Sequence, residues 1–147
     1  MPLNPPPRDA TGAVVPHDHE GIRADDGIIR RVSEQQIVID VKSGGRRLSS
    51  MVFKASAGAN AGMSVDLQTQ IEEAGLDPRN YVTTPRWTGS VRFEAGPLRQ
   101  ESFQVGFDPL TENPHHGEVW GVFSKSKQQR LREFCQWFVP IEGVAIG

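Results

Sequence analysis

The chain has 147 residues, a formal net charge of −2 and one cysteine, Cys135. This length is typical of one domain that can bury a core without stabilising disulfides or metals, and a single cysteine excludes a disulfide framework. The small net charge excludes a global field that would steer the protein to nucleic acid or an anionic membrane, and no apolar run approaches the ~20 residues that span a bilayer. With no secretory signal at the N-terminus, we expect a cytoplasmic protein.

The first segment, residues 1–20, is predicted to be a flexible tail in front of one domain that spans residues 21–147. Four of its first seven residues are proline, which cannot donate a backbone hydrogen bond to a helix or a central strand. The tail ends in His17 and His19, whose side chains point to the same side of an extended chain.

The next part of the chain is predicted to be rich in strands. Ile28–Val32 is β-branched and bounded by turn residues, which is typical of a strand. Gln36–Lys42 and Leu48–Lys54 follow as a hairpin, because the Gly-Gly pair between them suits the positive φ angles of a two-residue turn. Such a turn would place Val41 opposite Leu48.

One short helix is predicted in the middle of the chain. Ser64 is a suitable N-cap, and Asp66 would lie in the first turn, where the helix dipole favours a carboxylate. Apolar residues then recur at roughly helical spacing until Gly75, a natural position for the helix to end.

Three further strands are predicted before the last helix. Gly89–Ala95 and Ser102–Phe107 each alternate apolar and polar residues, and a turn at Gly96-Pro97 would join them as a second antiparallel pair. Gly117–Phe123 is the third strand.

The last helix is predicted to begin after Ser124, which is a suitable N-cap. Four apolar residues then fall at i, i+3, i+4 and i+7, which makes one apolar stripe: Leu131, Phe134, Cys135 and Phe138. Together the elements predict an α+β fold, with a mostly antiparallel sheet of about five or six strands, two helices and the C-terminal helix packed on the sheet.

Short motifs along the chain resemble those of a group of small uncharacterised bacterial proteins. They are Arg30-Arg31-Val32, Ser49-Ser50-Met51-Val52-Phe53, Met63-Ser64-Val65, Asp108-Pro109 and Asn113-Pro114-His115-His116. The group carries R-R-I, S-x-x-F and L-S-V, followed by a late Pro-x-His before a final strand. The resemblance implies a small α+β domain from a bacterial or phage setting, and it brings no activity with it.

The four histidines are candidates for a metal site. His17 and His19 on one side of an extended tail have good geometry for two ligands, and His115 or His116 would complete a three-histidine site. The alternative is that these histidines lie on the surface and in turns.

Two other groups of polar residues are candidates for binding or catalysis. Arg30 lies on the first predicted strand, Ser50 on a later one and Glu118 on a late one, an order similar to that of ADP-ribosyltransferase-like folds. The arginine would hold a pyrophosphate, and the glutamate would orient a ribose hydroxyl. The start of the last helix is a candidate anion site, because helix N-termini bind anions; it comprises Ser124, Lys125, Lys127 and Arg130. A solvated charged face is the alternative.

The sequence contains no Walker loop, no G-x-S-x-G and no H-E-x-x-H motif. We therefore expect a small binding or accessory protein of a bacterial or phage system, which contacts another protein and needs no cofactor. Nucleic acid and membrane partners are not indicated, and a homo-oligomer is compatible with the sequence. The alternatives are an ADP-ribosyltransferase-like enzyme and a metal-binding protein.

Overall fold

The computed structural model describes residues 2–58 and 60–147. The strands within these residues are β1 (Gly27–Val32), β2 (Ile37–Ile39), β3 (Arg46–Leu48), β4 (Met63–Leu67), β5 (Gly89–Glu94), β6 (Gln104–Phe107), β7 (His116–Trp120), β8 (Gln136–Val139) and β9 (Val144–Ala145). The helices are α1 (Gln68–Glu73), α2 (Pro78–Val82), α3 (Ala95–Gln100) and α4 (Lys125–Phe134). Two 3₁₀ turns cover Glu34–Gln36 and Ser50–Phe53.

In this part of the chain, six strands form one antiparallel sheet in the order β6-β7-β4-β1-β5-β8. A smaller sheet has the order β2-β3-β9, in which β2 and β3 are antiparallel and β9 is parallel to β3. The predicted α+β class and the antiparallel sheet are therefore confirmed. The described residues contain four helices where two were predicted, and only α4 is as long as ten residues.

The large sheet is covered on both faces, and the centre of β1 shows why. Ile28 and Ile29 are neighbours whose side chains point to opposite faces, yet both are fully buried. Ile28 packs in one apolar cluster with Phe53 and with Leu131 of α4. Ile29 packs in a second cluster, to which α1 and α2 contribute Ile71 and Val82.

The predicted helix start at Ser64 is wrong, because residues 63–67 form strand β4. Met63, Val65 and Leu67 are all buried in the first apolar cluster, which is the period-two pattern of a strand lying on a core. Strands β1 and β7 pair with β4 on its two sides, so its backbone hydrogen bonds are made within the sheet. Helix α1 begins only at Gln68, and it ends near Gly75, which has a φ of +80°.

The predicted hairpin exists, but its register is wrong. Ile37 pairs with Leu48 and Ile39 with Arg46, so the connection is longer than two residues. Asp40 organises this turn, because its carboxylate accepts hydrogen bonds from the Lys42 N–H at 3.2 Å and the Ser43 hydroxyl at 2.9 Å. Residues after Leu48 do not continue the strand, since Ser49 instead caps the second 3₁₀ turn.

The predicted pairing of the strands around Gly89–Ala95 and Ser102–Phe107 is also wrong. Strand β5 pairs with β1 and β8, whereas β6 pairs with β7. Helix α3 lies between β5 and β6 where a simple turn at Gly96-Pro97 was predicted. Proline is tolerated there because the first helical turn leaves its N–H groups unpaired.

The last helix begins as predicted, with the Ser124 side chain accepting a hydrogen bond from the Lys127 N–H. It ends at Phe134, however, and the following residues form β8 at the edge of the large sheet. Leu131 is buried in the first apolar cluster, Phe138 lies in the second, and Phe134 is only partly buried. The expected single stripe is therefore divided between a helix and a strand.

Residues 1–20 are predicted to be a flexible tail, and residues 17–19 of this segment lie along the outer edge of β6. The His19 N–H donates to the Val105 carbonyl at 2.9 Å, and the Val105 N–H donates to the Asp18 carboxylate at 3.0 Å. The Phe107 N–H donates to Nε2 of His17 at 3.2 Å. The segment thus satisfies backbone groups that an outer strand would otherwise present to a neighbouring chain.

Candidate functional site

Four polar side chains form a block on one face of strands β4 and β7. The register places Ser64 opposite Glu118 and Asp66 opposite His116. Their neighbours Val65 and Val119, among others, point to the opposite face and are buried in the core. The alternation that builds the core therefore also collects two carboxylates, an imidazole and a hydroxyl on the other face.

A cleft of about 400 Å³ opens beside this block. Strand residues of its lining are Arg30, Arg31, Ser64, Asp66 and His116, and the residues from connecting segments and α2 are Tyr81, Trp87, Leu110, Glu112 and Asn113. Polar groups of both charges and the apolar surfaces of Trp87 and Leu110 thus meet in one concave site, which is typical of a small-molecule site.

His116 lies at the centre of a continuous hydrogen-bonded chain. Its Nδ1 is 2.8 Å from the backbone carbonyl oxygen of Asp108 and 3.2 Å from the Asp108 carboxylate. A carbonyl oxygen only accepts, so Nδ1 carries a hydrogen and the Nε2 of the neutral ring is free to accept. Nε2 is hydrogen-bonded to the Ser64 hydroxyl, and a Glu118 carboxylate oxygen lies 3.6 Å from it.

Asp66 lies beside His116 in the same block, and its charge is fully engaged. Arg31 donates to the two Asp66 carboxylate oxygens at 2.8 and 3.1 Å. The Asn113 side-chain amide donates to the same carboxylate at 2.8 Å, and its oxygen accepts the Tyr81 hydroxyl. This network ties the segment before β7 to the sheet and holds the shape of the cleft.

Burial changes the acidity of several groups around the cleft. Burial raises the pKa of Glu118, and this is opposed by His116 and by the Gly62 N–H, which donates to the carboxylate at 2.8 Å. Burial lowers the pKa of Arg30, which is opposed by the charges of Glu118 and Asp66. Burial and the Asp66 charge raise the pKa of Tyr81. Perturbed groups of this kind cluster at functional sites more often than elsewhere.

Three of these groups are also close enough to hold a metal ion. Asp108, His116 and Glu118 offer ligand atoms that all lie within 4.8 Å of one another. The two carboxylates approach different nitrogens of the imidazole ring, however, and Nδ1 already donates to the Asp108 carbonyl. An ion would therefore bind at Nε2 and Glu118, where it would replace the hydrogen bond from Ser64.

The structure places the four predicted metal-binding histidines in three different environments. His17 and His19 lie together, with ring centroids 6.0 Å apart, but each ring hydrogen-bonds backbone groups through both of its nitrogens. His115 packs edge-on against the Tyr81 ring at 5.4 Å. Among the residues described, only His116 belongs to a group with metal-ligand spacing.

The predicted Arg30, Ser50 and Glu118 constellation is divided between two regions. Arg30 donates to the carbonyls of Val52 at 2.9 Å and Ser64 at 3.0 Å, and it interacts electrostatically with Glu118. Ser50 instead lines a separate concavity beside α4. The geometry therefore brings Arg30 and Glu118 together and leaves Ser50 outside the cleft.

The predicted anion site at the start of α4 is also divided. Lys127 donates to the Glu101 carbonyl at 2.8 Å, and Arg130 donates to the Glu101 carboxylate at 3.0 Å, so both cations are engaged by one acidic residue. The Ser124 hydroxyl caps the helix by accepting from Lys127 N–H. Lys125 lies apart from them and lines a concavity with Lys54 and Arg132.

Sequence reasoning did not assign the site roles of Ser64, Asp66 and Asp108. The sequence analysis makes Ser64 a helix N-cap and places Asp66 in the first helical turn, although their alternation with Met63, Val65 and Leu67 is a signal for a strand with a polar face. Asp108 comes just after β6, and no local pattern links it to His116. Only the pairing of β6 with β7 brings the two residues together.

Comparisons with known proteins leave this site to be interpreted from its own geometry. No protein-family model, curated protein or solved structure matches the chain. The helices in the described ranges include none with the length and apolar character that crossing a membrane requires.

Proposed function

We propose that this protein is a small hydrolase in which Ser64 is the nucleophile and His116 is its general base. The observation that supports it is the chain of hydrogen bonds from the Ser64 hydroxyl to Nε2 of His116 and from Nδ1 of His116 to Asp108. Ser64 and His116 both line the cleft. A nucleophile, a base and an orienting carboxylate are recognised by this geometry and not by their order in the chain.

The reaction would be acyl transfer from an ester or amide to water. The Ser64 oxygen attacks the carbonyl carbon while Nε2 of His116 takes the hydroxyl proton. The tetrahedral intermediate then expels the leaving group, which receives that proton from His116, and an acyl-serine forms. Water, activated by the same nitrogen, attacks the acyl-serine and releases the acid and the free serine.

Charged groups around the ring support this chemistry. Asp108 and Glu118 approach the two nitrogens of His116 at 3.2 and 3.6 Å, so both carboxylates stabilise the imidazolium that forms in the transition state. Arg31 lines the same cleft, and its N–H groups beyond the two that bind Asp66 would be the donors to a developing oxyanion. The volume of about 400 Å³ and the Trp87 and Leu110 walls favour a small substrate with an apolar acyl group.

Covalent labelling with a serine-directed fluorophosphonate tests the proposal. Mass spectrometry of the digested protein should find the probe on Ser64 in the unchanged protein. It should find none in Ser64→Ala or His116→Gln, while the Ser50→Ala control is labelled normally. Hydrolysis of p-nitrophenyl acetate should fall roughly 10⁴-fold in Ser64→Ala, as expected for the loss of a triad member. A folded Ser64→Ala protein with an unchanged hydrolysis rate would exclude the proposal.

A divalent-metal site is a second candidate, because Nε2 of His116 and Glu118 belong to a group of three residues whose ligand atoms lie within 4.8 Å of one another. The two functions make opposite predictions for zinc. If the metal reading is correct, calorimetry should show stoichiometric zinc binding that Glu118→Gln weakens, and zinc should block labelling of Ser64. If calorimetry detects no zinc binding while Ser64 reacts with the probe, the hydrolase proposal is supported and the metal-site proposal is excluded.

A further inference from the structure

A groove lies between the β2–β3 hairpin and helix α4, on a different part of the molecule from the cleft. Its volume is about 630 Å³, and its walls include Val38 and Ile39 on one side and Gln129 and Arg132 on the other. An adjoining hollow of about 250 Å³ shares Gln129 and Arg132 with it and extends to Lys54. We call this surface, which is lined by Arg47, Lys54, Lys125 and Arg132, the basic groove.

The cations of the basic groove lack acidic partners. Arg47 and Arg132 both donate to the Leu48 carbonyl, at 3.1 and 2.9 Å. In the described ranges, no carboxylate lies within 4.0 Å of the side-chain nitrogens of Arg47, Lys54, Lys125 or Arg132. Burial is the main cause that lowers the pKa of Arg132, and the charge of the neighbouring Arg47 adds to it. The groove therefore presents uncompensated positive charge to a ligand.

One acidic side chain, that of Asp40, lines the groove, but it stabilises the hairpin turn. Asp40 accepts hydrogen bonds from the Ser43 hydroxyl at 2.9 Å and from the Lys42 N–H at 3.2 Å. These two bonds, more than the charge of Arg47, lower the pKa of Asp40. Its charge is thus used within the turn and leaves Arg47 and Arg132 available.

The groove is bordered by an open strand edge. Strand β2 is the outer strand of the small sheet. The Gln36 carbonyl accepts a hydrogen bond from Ser49 N–H, and Asp40 N–H donates to the Gly45 carbonyl. Hydrogen-bonded and non-hydrogen-bonded pairs alternate in an antiparallel ladder, so the N–H and carbonyl of Ile39 point away from β3. Apolar side chains along this edge are exposed to water: Val38 is 38%, Ile39 64% and Val41 95% exposed.

We propose that the basic groove binds an extended segment of a partner protein in which acidic and apolar residues alternate. The segment would pair with the outer edge of β2, as in other cases of strand addition. Because successive side chains of a strand point to opposite sides, its carboxylates would meet Arg47 and Arg132 while its apolar residues cover Ile39 and its neighbours. This inference stands on different residues from the proposed hydrolase and is independent of it.

A dye-labelled peptide of alternating aspartate and valine is the probe, and fluorescence polarisation is the measurement. The peptide should bind saturably, more weakly as salt increases, and a lysine–valine peptide of equal length should not bind. Arg47→Gln should weaken binding about tenfold, as expected for one lost charge-assisted hydrogen bond. Arg46→Gln is the matched control, because Arg46 lies on the same strand but pairs with Glu34 at 3.1 Å.

Hydrogen exchange distinguishes strand addition from simple ion pairing. The peptide should slow exchange of the Ile39 amide, since that N–H would gain a carbonyl partner. Equal binding of the two peptides, an unchanged affinity in Arg47→Gln, or unchanged exchange at Ile39 would each overturn the proposal. Sedimentation that shows a dimer which Ile39→Lys dissociates would also overturn the proposal, because a second copy of the chain would then occupy the strand edge. Preferential binding of a single-stranded oligonucleotide would overturn it as well.

Discussion

The cleft beside β4 and β7 and the basic groove beside β2 use similar charged residues in opposite ways. In the cleft, Asp66 is buried and accepts three hydrogen bonds from Arg31 and Asn113. In the groove, Arg47 and Arg132 donate to backbone carbonyls alone: both donate to Leu48, and Arg132 also donates to Ile146. A buried charge must be paired because desolvation is costly, whereas a cation that reaches solvent can remain unpaired until a ligand arrives. The charged groups of the cleft are therefore preorganised by their partners within the protein, whereas the cations of the groove can still bind an acidic ligand.

The largest expected effect compares a buried ion pair with an exposed one. Asp66→Ala leaves Arg31 without its partner and should reduce the free energy of unfolding by about 3–5 kcal/mol. Glu34→Ala breaks the exposed pair with Arg46 and should cost less than about 1 kcal/mol. Urea unfolding of both variants is the measurement. Similar losses would show that the cleft is no more preorganised than the surface.

The second prediction compares two residues of α4, one that faces the core and one that lines the groove. Leu131 is fully buried, so Leu131→Ala should reduce stability by about 2–5 kcal/mol. Gln129 lines the groove and is exposed, so Gln129→Ala should change stability by less than about 0.5 kcal/mol. Thermal unfolding tests both, and a large loss in Gln129→Ala would mean that the groove wall is part of the packed core.

The third prediction compares a covered strand edge with an open one. The Asp18 carboxylate accepts from the Val105 N–H at 3.0 Å and from Arg99 at 2.8 Å. Asp18→Ala should cost about 1 kcal/mol and speed hydrogen exchange at Val105. The Ile39 amide, on the open edge of β2, should exchange fast in both proteins. Slow exchange at Ile39 in the isolated protein would show that this edge is already covered.

The smallest expected effect concerns Glu118 and depends on pH. Burial raises the pKa of Glu118, so the folded protein holds this proton more tightly than the unfolded chain. The resulting stability is fully present below the ordinary glutamate pKa of about 4.3 and is lost as pH rises through the raised value. As pH rises from the ordinary glutamate pKa past the raised pKa of Glu118, the free energy of unfolding of Glu118→Gln should therefore increase relative to that of the unchanged protein. Urea unfolding at several pH values tests this, and parallel profiles would contradict it.

Much of the secondary structure could be predicted because it depends on local patterns. The strand at Ile28–Val32 and the Ser124 cap follow from β-branched residues and from one hydroxyl beside a helix start. The pattern around Ser64 supports two elements, since Met63, Val65 and Leu67 alternate as in a strand while Leu67 and Ile71 have helical spacing. Pairing with β1 and β7 decides between them.

The candidate site was less predictable than the fold. Glu118 and His116 were both chosen from the sequence, but for different sites, and Ser64 was chosen for neither. The β4–β7 register puts Ser64 opposite Glu118, although they are separated by more than fifty residues, and no local signal encodes that register.

Local sequence patterns are enough to predict the α+β class, the antiparallel sheet and the start of the last helix, because periodicity and caps act between residues close in the chain. Long-range packing is needed to establish which strands pair, that Phe138 lies on a strand, and that Ser64, Asp108 and His116 meet. These outcomes depend on burying two apolar faces at once while pairing every strand, and that balance is a property of the whole chain.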